Sequence, residues 1–439
     1  MKARKTIAII GSGISGISTA WNLDRSLKII LFEQSARLGG HTHTHSLNLD
    51  NQFNVDSGFI VFNKPNYPLF MKWLEQLNVS WTKSNMSFSF SLNNGGFEWS
   101  GKNLSAVFAQ KSNLFSPRFF YMLYEINRFN KLSAREFSDS KIKNTLSIEE
   151  FLKVNKFGKE FCYYYLYPMA SAIWSTPEQK ILNFPAKNLI NFFYNHGLLN
   201  LTNHFEWYSI KGGSKTYIDK FLYSREIKKR DIIINLNQEV KEVSTLKDKN
   251  QTEKIKIKGF DNNQRCPFQV NVDGVVMACH SIQSVKIIEK DQPFHNLLEK
   301  IKYHKNTAIL HTDELLMPRR KKVWSAWNYI ATKAQESNTC SLTVTYWMNA
   351  LQELHTNKNI FVTLNADQHI REHKVLKKMA YEHPLFDFNA IQAQSELNKL
   401  QGTNDMWFAG AWLGYGFHED GFFSGTKAAE MVNRKFNKS

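Results

Sequence analysis

Residues 6–42 read TIAIIGSGISGISTAWNLDRSLKIILFEQSARLGGHT, and this stretch decides the fold. The apolar run Thr6–Ile10 predicts a buried strand. It runs into Gly11-Ser12-Gly13-Ile14-Ser15-Gly16, a G-x-G-x-x-G pattern, and then into a helical stretch from Ile17 to Leu23. After a turn at Asp24-Arg25-Ser26, a second strand is expected over Lys28–Phe32, ending on Glu33. Gly11 permits the tight turn, Gly13 lets the backbone approach a pyrophosphate, and Gly16 lets helix and strand pack closely. The helix N-terminus offers unpaired N–H groups and a partial positive charge to the phosphates. Glu33 stands 22 residues after Gly11, close to the roughly 20-residue offset at which an acid bonds a ribose hydroxyl. Strand, glycines, helix and acid in this order predict a dinucleotide site. The motif alone does not separate NAD from FAD.

The next residues make that choice. Glu33-Gln34-Ser35-Ala36-Arg37-Leu38-Gly39-Gly40 resembles the E-x-x-x-R-x-G-G extension of the flavin-containing amine oxidase and phytoene desaturase superfamily. The resemblance implies FAD, with Gln34, Arg37, Leu38, Gly39, Gly40, His41 and Thr42 continuing the pyrophosphate and ribityl site. His41 stands where many relatives carry arginine, which leaves the pyrophosphate without that cation. It is also the first place to look for a covalent histidyl–flavin link. A nicotinamide-only dehydrogenase is disfavoured by the same extension.

The whole chain sets bounds. Its 439 residues suit two domains, with 42% hydrophobic residues and a high aromatic share of 14%. The formal charge of +17 admits nucleic acid, an anionic membrane surface or a solvated basic exterior. No nucleic-acid motif accompanies it, so a nucleic-acid partner is not expected. Pro318-Arg319-Arg320-Lys321-Lys322, beside Trp324 and Trp327, is the compact basic cluster that suits peripheral contact with lipid. The four cysteines lack C-x-x-C spacing, which fits a reducing compartment and no thiolate metal site. MKARK before an apolar stretch imitates a signal peptide, but cleavage there would destroy the glycine fingerprint. No apolar run reaches the ~18 residues of a membrane span. A cytoplasmic protein, at most peripheral to the inner face of a membrane, is expected.

Further along, the histidines of His41-Thr-His43-Thr-His45 would share one face of an extended segment, but no carboxylate or cysteine lies nearby to complete a metal site. Asp56-Ser-Gly58-Phe59 resembles the D-x-G segment that passes the flavin ring in the superfamily. Helical spacing is seen over Tyr67–Leu77, Phe119–Phe129 and Ile148–Phe161. The aromatic patch from Tyr163 to Pro177 is either a cavity wall or a packing seam. Short strands dominate Asp231–Met277, and the superfamily's matching meander places the backbone at Val240 against the adenine. Strands are also expected around Leu310, Trp324–Tyr329, Thr345–Asn349 and Val362–Asn365.

The C-terminal end returns to the nucleotide domain. Met406–Gly410 reads as a strand, Gly414–Gly421 as a loop, and Ser424–Phe436 as the last helix. In the superfamily this helix points its N-terminus at the N1/C2=O edge of the flavin, where reduced flavin carries negative charge. The resemblance thus adds Gly410, His418, Glu419, Asp420 and Gly421 to the cofactor site.

Together these give an α/β fold: a Rossmann-type, amine-oxidase-like FAD-binding domain with an α+β substrate domain inserted. The expected divisions are 1–84, 206–285 and 401–439 for FAD, and 85–205 and 286–400 for substrate. Gly-Gly-His-Thr, Trp207–Tyr217, His-Thr-Asp with Met-Pro-Arg-Arg, Trp-Asn-Tyr, Tyr-Trp-Met-Asn and Gly-Phe-His-Glu-Asp-Gly together resemble one bacterial subfamily of NAD/FAD-binding, amine-oxidase-like proteins. Its members tend to be encoded beside cyclopropane-fatty-acyl-phospholipid synthase homologues, which implies a functional link to such a methyltransferase. The implied chemistry is oxidation of a C–H bond, hydride passing to flavin N5, on a lipid or fatty-acyl substrate. The alternatives are an amine oxidase for small amines and a non-catalytic flavin-containing partner of the methyltransferase. Trp174, Tyr346 and Trp412 are the expected cavity-lining residues; no residue is assigned as catalytic and none as a metal ligand.

Overall fold

Five short parallel strands build the first sheet, in the order Asp231–Asn235, Lys28–Phe32, Thr6–Ile10, Gly274–Met277, Met406–Phe408. The computed structural model describes residues 4–138, 146–199, 205–247, 253–333, 340–366 and 369–437; Met1–Ala3 of the MKARK segment lie outside them. Thr6–Ile10 is the central strand, and Ile7, Ala8, Ile9 and Ile10 are all buried. Burial on both faces is what a parallel sheet covered on both sides requires. One face is covered by the helices Ile14–Asn22 and His418–Phe436. The other is covered by a three-stranded antiparallel meander, Gln238–Lys247, Glu253–Asp261 and Cys266–Val272, and by the helices His295–Lys300 and Phe388–Lys399.

Close packing around the first turn is dictated by glycine. A Cβ at Gly16 would lie 2.0 Å from the carbonyl oxygen of Gly11, whose own φ of +101° is one that side chains rarely allow. The last helix presses on the same turn, where a Cβ at Gly425 would lie 2.2 Å from the Ser15 carbonyl oxygen.

A second, seven-stranded sheet runs in the order Val375–Pro384, Tyr303–His311, Phe361–Leu364, Cys340–Trp347, Trp327–Lys333, Phe88–Leu92, Phe97–Ser100. Against it packs a helical block that includes Pro117–Ser138, Ile148–Val154, Tyr167–Trp174 and Ala186–Asn195. Segment 85–205 is therefore not purely helical: Phe88–Leu92 pairs parallel with Trp327–Lys333, and Phe97–Ser100 follows as a hairpin. The helix expected over Ile148–Phe161 is broken, because Lys156 takes a φ of +52°. Cys162–Leu166, inside the aromatic patch, forms a π-helical turn that leads into Tyr167–Trp174.

The last helix starts at His418, six residues before the expected Ser424. Its first turn is closed by Asp420, whose Oδ2 accepts from the N–H groups of Phe417 (2.9 Å) and Tyr415 (3.1 Å).

Candidate active site

A cavity of about 2090 Å³ opens between the two sheets. Drug-sized ligands occupy pockets of about 300–1,000 Å³, so there is room here for a dinucleotide and a second ligand. Its floor is the loop Gly11–Ser15, and Glu33 and Gln34 line it at the end of the second strand. Glu33 is buried; its Oε2 accepts from the N–H and hydroxyl of Ser12, and its Oε1 from the N–H of Ser35. Arg37, Gly39, Gly40 and His41 line the cavity next. The Arg37 guanidinium donates to the carbonyls of Thr42 (2.9 Å) and Gly40 (2.7 Å), so it braces the double-glycine loop. Val240 reaches the wall at a bulge in the meander, between Val240 and Glu242.

Gly58, Phe59, Gly410, Trp412 and His418 carry the wall onward. Phe59 stacks on His418 with ring centroids 3.7 Å apart. His418 Nε2 lies 2.7 Å from the Tyr217 hydroxyl, which in turn bonds Thr42. Trp412 donates to the Cys279 carbonyl (3.0 Å) and packs beneath the parallel sheet, so it belongs to the dinucleotide half. Trp174 and Tyr346 line the other half, together with Leu123, Ile126, Tyr165, Met169, Ile173 and Phe192. Burial pushes the Tyr346 phenol up to about 12, so it stays a neutral donor, 3.4 Å from the Ala172 carbonyl.

Six of the residues expected at the cofactor stand behind the wall rather than on it. Gly16, Leu38 and Thr42 support the loops. Gly421 sits where a Cβ would come within 2.6 Å of the Ile14 side chain. Asp420 caps its own helix. The Glu419 carboxylate accepts from the N–H groups of Leu69 and Phe70, both at 2.9 Å, and so caps the helix Pro68–Gln76. Burial raises the pKa of Glu419, and raises that of Asp420 to about 6.

The sequence reading missed a set of rings that the topology gathers. His41 lies with its ring centroid 5.9 Å from His280, 5.5 Å from His383 and 5.1 Å from Tyr381. The His41 Nε2 is sealed from solvent without a hydrogen-bond partner. Burial is the main cause that lowers His41 and His383 to about 3 and His280 to about 4, so all three are neutral at pH 7. His43 and His45 form a polar chain that meets this set at Tyr381: Ser57 Oγ lies 2.8 Å from His45 Nε2 and 2.7 Å from the Tyr381 hydroxyl, and His43 Nδ1 lies 3.1 Å from the same hydroxyl. Among the described residues, no group of three or more His, Cys, Asp or Glu could hold a metal ion.

The donor set fits FAD. At Gly13 a Cβ would meet nothing within 4 Å. The space over this glycine, at the N-terminus of Ile14–Asn22, is the cradle that a pyrophosphate would fill.

A model of the NAD(P)-binding Rossmann-like domain matches residues 9–77. No curated protein matches the sequence. Solved structures agree over nearly the whole chain. The CLA-producing fatty acid isomerase from P. acnes superposes with a TM-score of 0.65 at 12% identity, covering 98% of this chain and 99% of its own. Cyclohexylamine oxidase from Brevibacterium oxydans gives 0.66 at 11% identity, over 99% and 100%. Putrescine oxidase bound to putrescine gives 0.65 at 12% identity, over 98% and 99%. At these identities the likeness establishes the fold, a Rossmann-type domain in an amine-oxidase-like architecture.

Proposed function

We propose that this chain is an FAD-dependent oxidoreductase that oxidises a C–H bond of a lipid or fatty-acyl substrate. The observation that supports this reading is the change of wall along one continuous cavity. Glycines, Glu33 and a helix N-terminus line one half. Tyr165, Met169, Ile173, Trp174, Phe192 and Ile126 line the other. FAD, when bound, supplies a two-electron acceptor for hydride. Gly13 and the N-terminus of Ile14–Asn22 would hold its pyrophosphate, Glu33 a ribose hydroxyl, and Val240 its adenine.

The aromatic half binds an apolar chain by area, and it excludes water from the reacting carbon. Burial keeps His41, His280 and His383 neutral, so the fixed charge in the middle of the wall is left to Arg37, Lys305 and Glu382, which line the cavity beside them. The N-terminus of His418–Phe436 offers partial positive charge to the side of the cavity that Phe417 and His418 line. The likeness to a fatty acid isomerase supports an acyl substrate, and the likeness to two amine oxidases keeps a small amine as the second reading. A role beside a cyclopropane-synthase-like methyltransferase, catalytic or not, would place both proteins on one acyl pool.

The test is anaerobic bleaching of the holoprotein's visible absorbance by candidate substrates. Bleaching by unsaturated acyl chains, and not by putrescine or cyclohexylamine, is expected. Bleaching by the amines alone would overturn the lipid reading, and bleaching by neither under conditions where dithionite bleaches fully would favour a non-catalytic flavin.

A further inference from the structure

The segment after the Phe97–Ser100 strand carries large apolar side chains on the outside. Leu104 is 78% exposed and Phe115 86%, and Leu114, Phe120, Tyr121 and Tyr124 are exposed beside them. No acidic residue occurs between Gly101 and Tyr124, while Lys102, Lys111 and Arg118 are all present and exposed. The patch also borders an opening of the cavity. Lys102, Asn103, Leu104, Val107 and Phe108 line the cavity while Leu104 faces solvent, so the chamber opens there. Phe108 on the cavity wall lies 6.0 Å, ring to ring, from the exposed Phe120.

The basic cluster at 319–322 joins the same surface. The helical turn Leu104–Val107 packs on the turn Lys321–Val323. One residue, Glu98, ties the two segments together. Its N–H donates to Gln110 Oε1 (2.6 Å) and its carbonyl accepts from Asn113 Nδ2 (3.0 Å). Its buried carboxylate accepts from the backbone N–H of Arg319 and from the Arg320 guanidinium (2.8 Å). Arg320 is spent on that pair, but Arg319, Lys321 and Lys322 stay exposed. The tryptophans beside the cluster are not anchors: Trp324 is buried and donates to the Pro318 carbonyl, and Trp327 lines the cavity.

We infer that this face docks on an anionic lipid bilayer, with Leu104, Leu114, Phe115 and Phe120 entering the acyl boundary and this opening of the cavity facing the membrane. Apolar side chains rimmed by lysine and arginine are what an interfacial, monotopic contact requires. A monomer rarely leaves such a patch uncovered without a partner. Charge decides which partner: the exposed charges of residues 101–124 and 319–322 are all cations, while the nearby carboxylates are Glu98 and Glu125, both buried, and Glu314, which lies near Lys321. The inference rests on the lipid-substrate reading, for which a bilayer entrance supplies the route.

Flotation of the purified full chain with phosphatidylcholine vesicles, with and without phosphatidylglycerol, tests it. Binding to the anionic vesicles is expected. Leu104→Ser/Phe115→Ser should weaken partitioning on the order of a hundredfold, since two large side chains lose their burial. Lys111→Gln/Arg118→Gln should weaken binding about thirtyfold, on anionic vesicles only. Tyr223→Ser, at another exposed aromatic, should change nothing. Unchanged flavin absorbance shows that each variant is folded. Wild-type protein that stays off anionic vesicles overturns the inference, and so does a Leu104→Ser/Phe115→Ser variant that binds like wild type, since that is adsorption by net charge alone. Bleaching by acyl chains presented in detergent separates the two readings. Bleaching without flotation removes the docking face and leaves the substrate; flotation without bleaching does the reverse.

Discussion

Gly13 and Gly16 are three residues apart in one motif, yet replacing them should produce opposite defects. At Gly13 the backbone has φ −63° and ψ 179°, which any residue adopts, and an added Cβ meets nothing within 4 Å. Gly13→Ala should therefore leave the fold of the apoprotein intact. A smaller entropy in the unfolded chain should even stabilise it by about 0.4–1 kcal/mol. The space the methyl takes is the space argued for the pyrophosphate. Losing one charge-assisted hydrogen bond there costs about 1.5–3 kcal/mol, which weakens FAD by a factor of about 10 to 100. Gly16 is the reverse case. Its Cβ would lie 2.0 Å from the Gly11 carbonyl oxygen and 3.4 Å from the Ala278 Cβ. Backbone cannot swing away as a flexible side chain can, so helix and strand must separate. Overpacking of this kind costs about 1–3 kcal/mol or more. The assay is thermal unfolding of flavin-stripped protein together with FAD titration by fluorescence quenching. Gly13→Ala should melt at or slightly above wild type and bind FAD weakly; Gly16→Ala should melt lower before FAD is added. A Gly13→Ala protein with wild-type FAD affinity would refute the placement of the pyrophosphate.

Other outcomes follow from individual groups. Glu419→Ala should destabilise the protein by about 1–2 kcal/mol, because two N–H groups of the Pro68–Gln76 helix lose their cap, while the visible spectrum of bound flavin stays unchanged; a large spectral shift would put the carboxylate at the cofactor instead. His41, His280 and His383 have folded pKa values lowered to about 3–4 from 6.5. Below pH 6.5 the unfolded chain then binds the extra protons, so stability is full above about pH 7 and falls as pH drops toward 3–4. Each histidine should cost about 1 kcal/mol between pH 7.5 and 5.5; His383→Gln should reduce that slope, and a melting temperature flat over the interval would contradict it. Glu98→Gln should destabilise the protein by about 3 kcal/mol, since it strips a buried carboxylate from the Arg320 guanidinium and two backbone N–H groups; chemical denaturation measures it, and a loss below about 1 kcal/mol would show the pair is replaceable. Trp174→Ala should raise KM for acyl chains by enlarging the binding chamber and should lower kcat as well, because it removes the donor to the Tyr415 carbonyl (3.2 Å) just before the last helix; steady-state kinetics measure both, and an unchanged KM would refute the chamber.

The nucleotide half of the fold was legible because its signals are local. A strand buried on both faces, a glycine turn that side chains rarely allow and an acid at the next strand's end all fall within 28 residues, Thr6 to Glu33. The final helix was legible in type but not in start. The loop reading of Gly414–Gly421 followed its glycines, whereas Asp420, three residues after Phe417, was the capping signal that starts a helix earlier. That shift turns Glu419 and Asp420 from cofactor contacts into caps. The alternating Phe88-Ser-Phe90-Ser-Leu92 was a period-two signal that the aromatic richness of its surroundings hid. Both of its faces are used: Ser89 and Ser91 are buried and bonded to Asn328 and Glu98.

The middle of the cavity was not legible, for a reason that no finer reading of periodicity would have removed. Val375–Pro384 contains Lys377, Lys378, Glu382 and His383, and these charges hide the alternation of Met379 and Tyr381. The segment becomes a strand because it is the sheet's edge, with one side to water and Met379 and Tyr381 turned inward. Pairing with Tyr303–His311 sets its register, and the register brings Tyr381 and His383 to the cavity. His41 arrives from the double-glycine loop and His280 from the end of Gly274–Met277 in the other sheet. The three histidines are more than 100 residues apart from one another in the chain, so only the joining of two sheets makes them neighbours. Their neutrality is likewise a property of the assembled wall, since each loses charge to the burial the others help create. A glycine fingerprint can declare where a dinucleotide lies, but the surface it faces is written in the pairing of a distant edge strand.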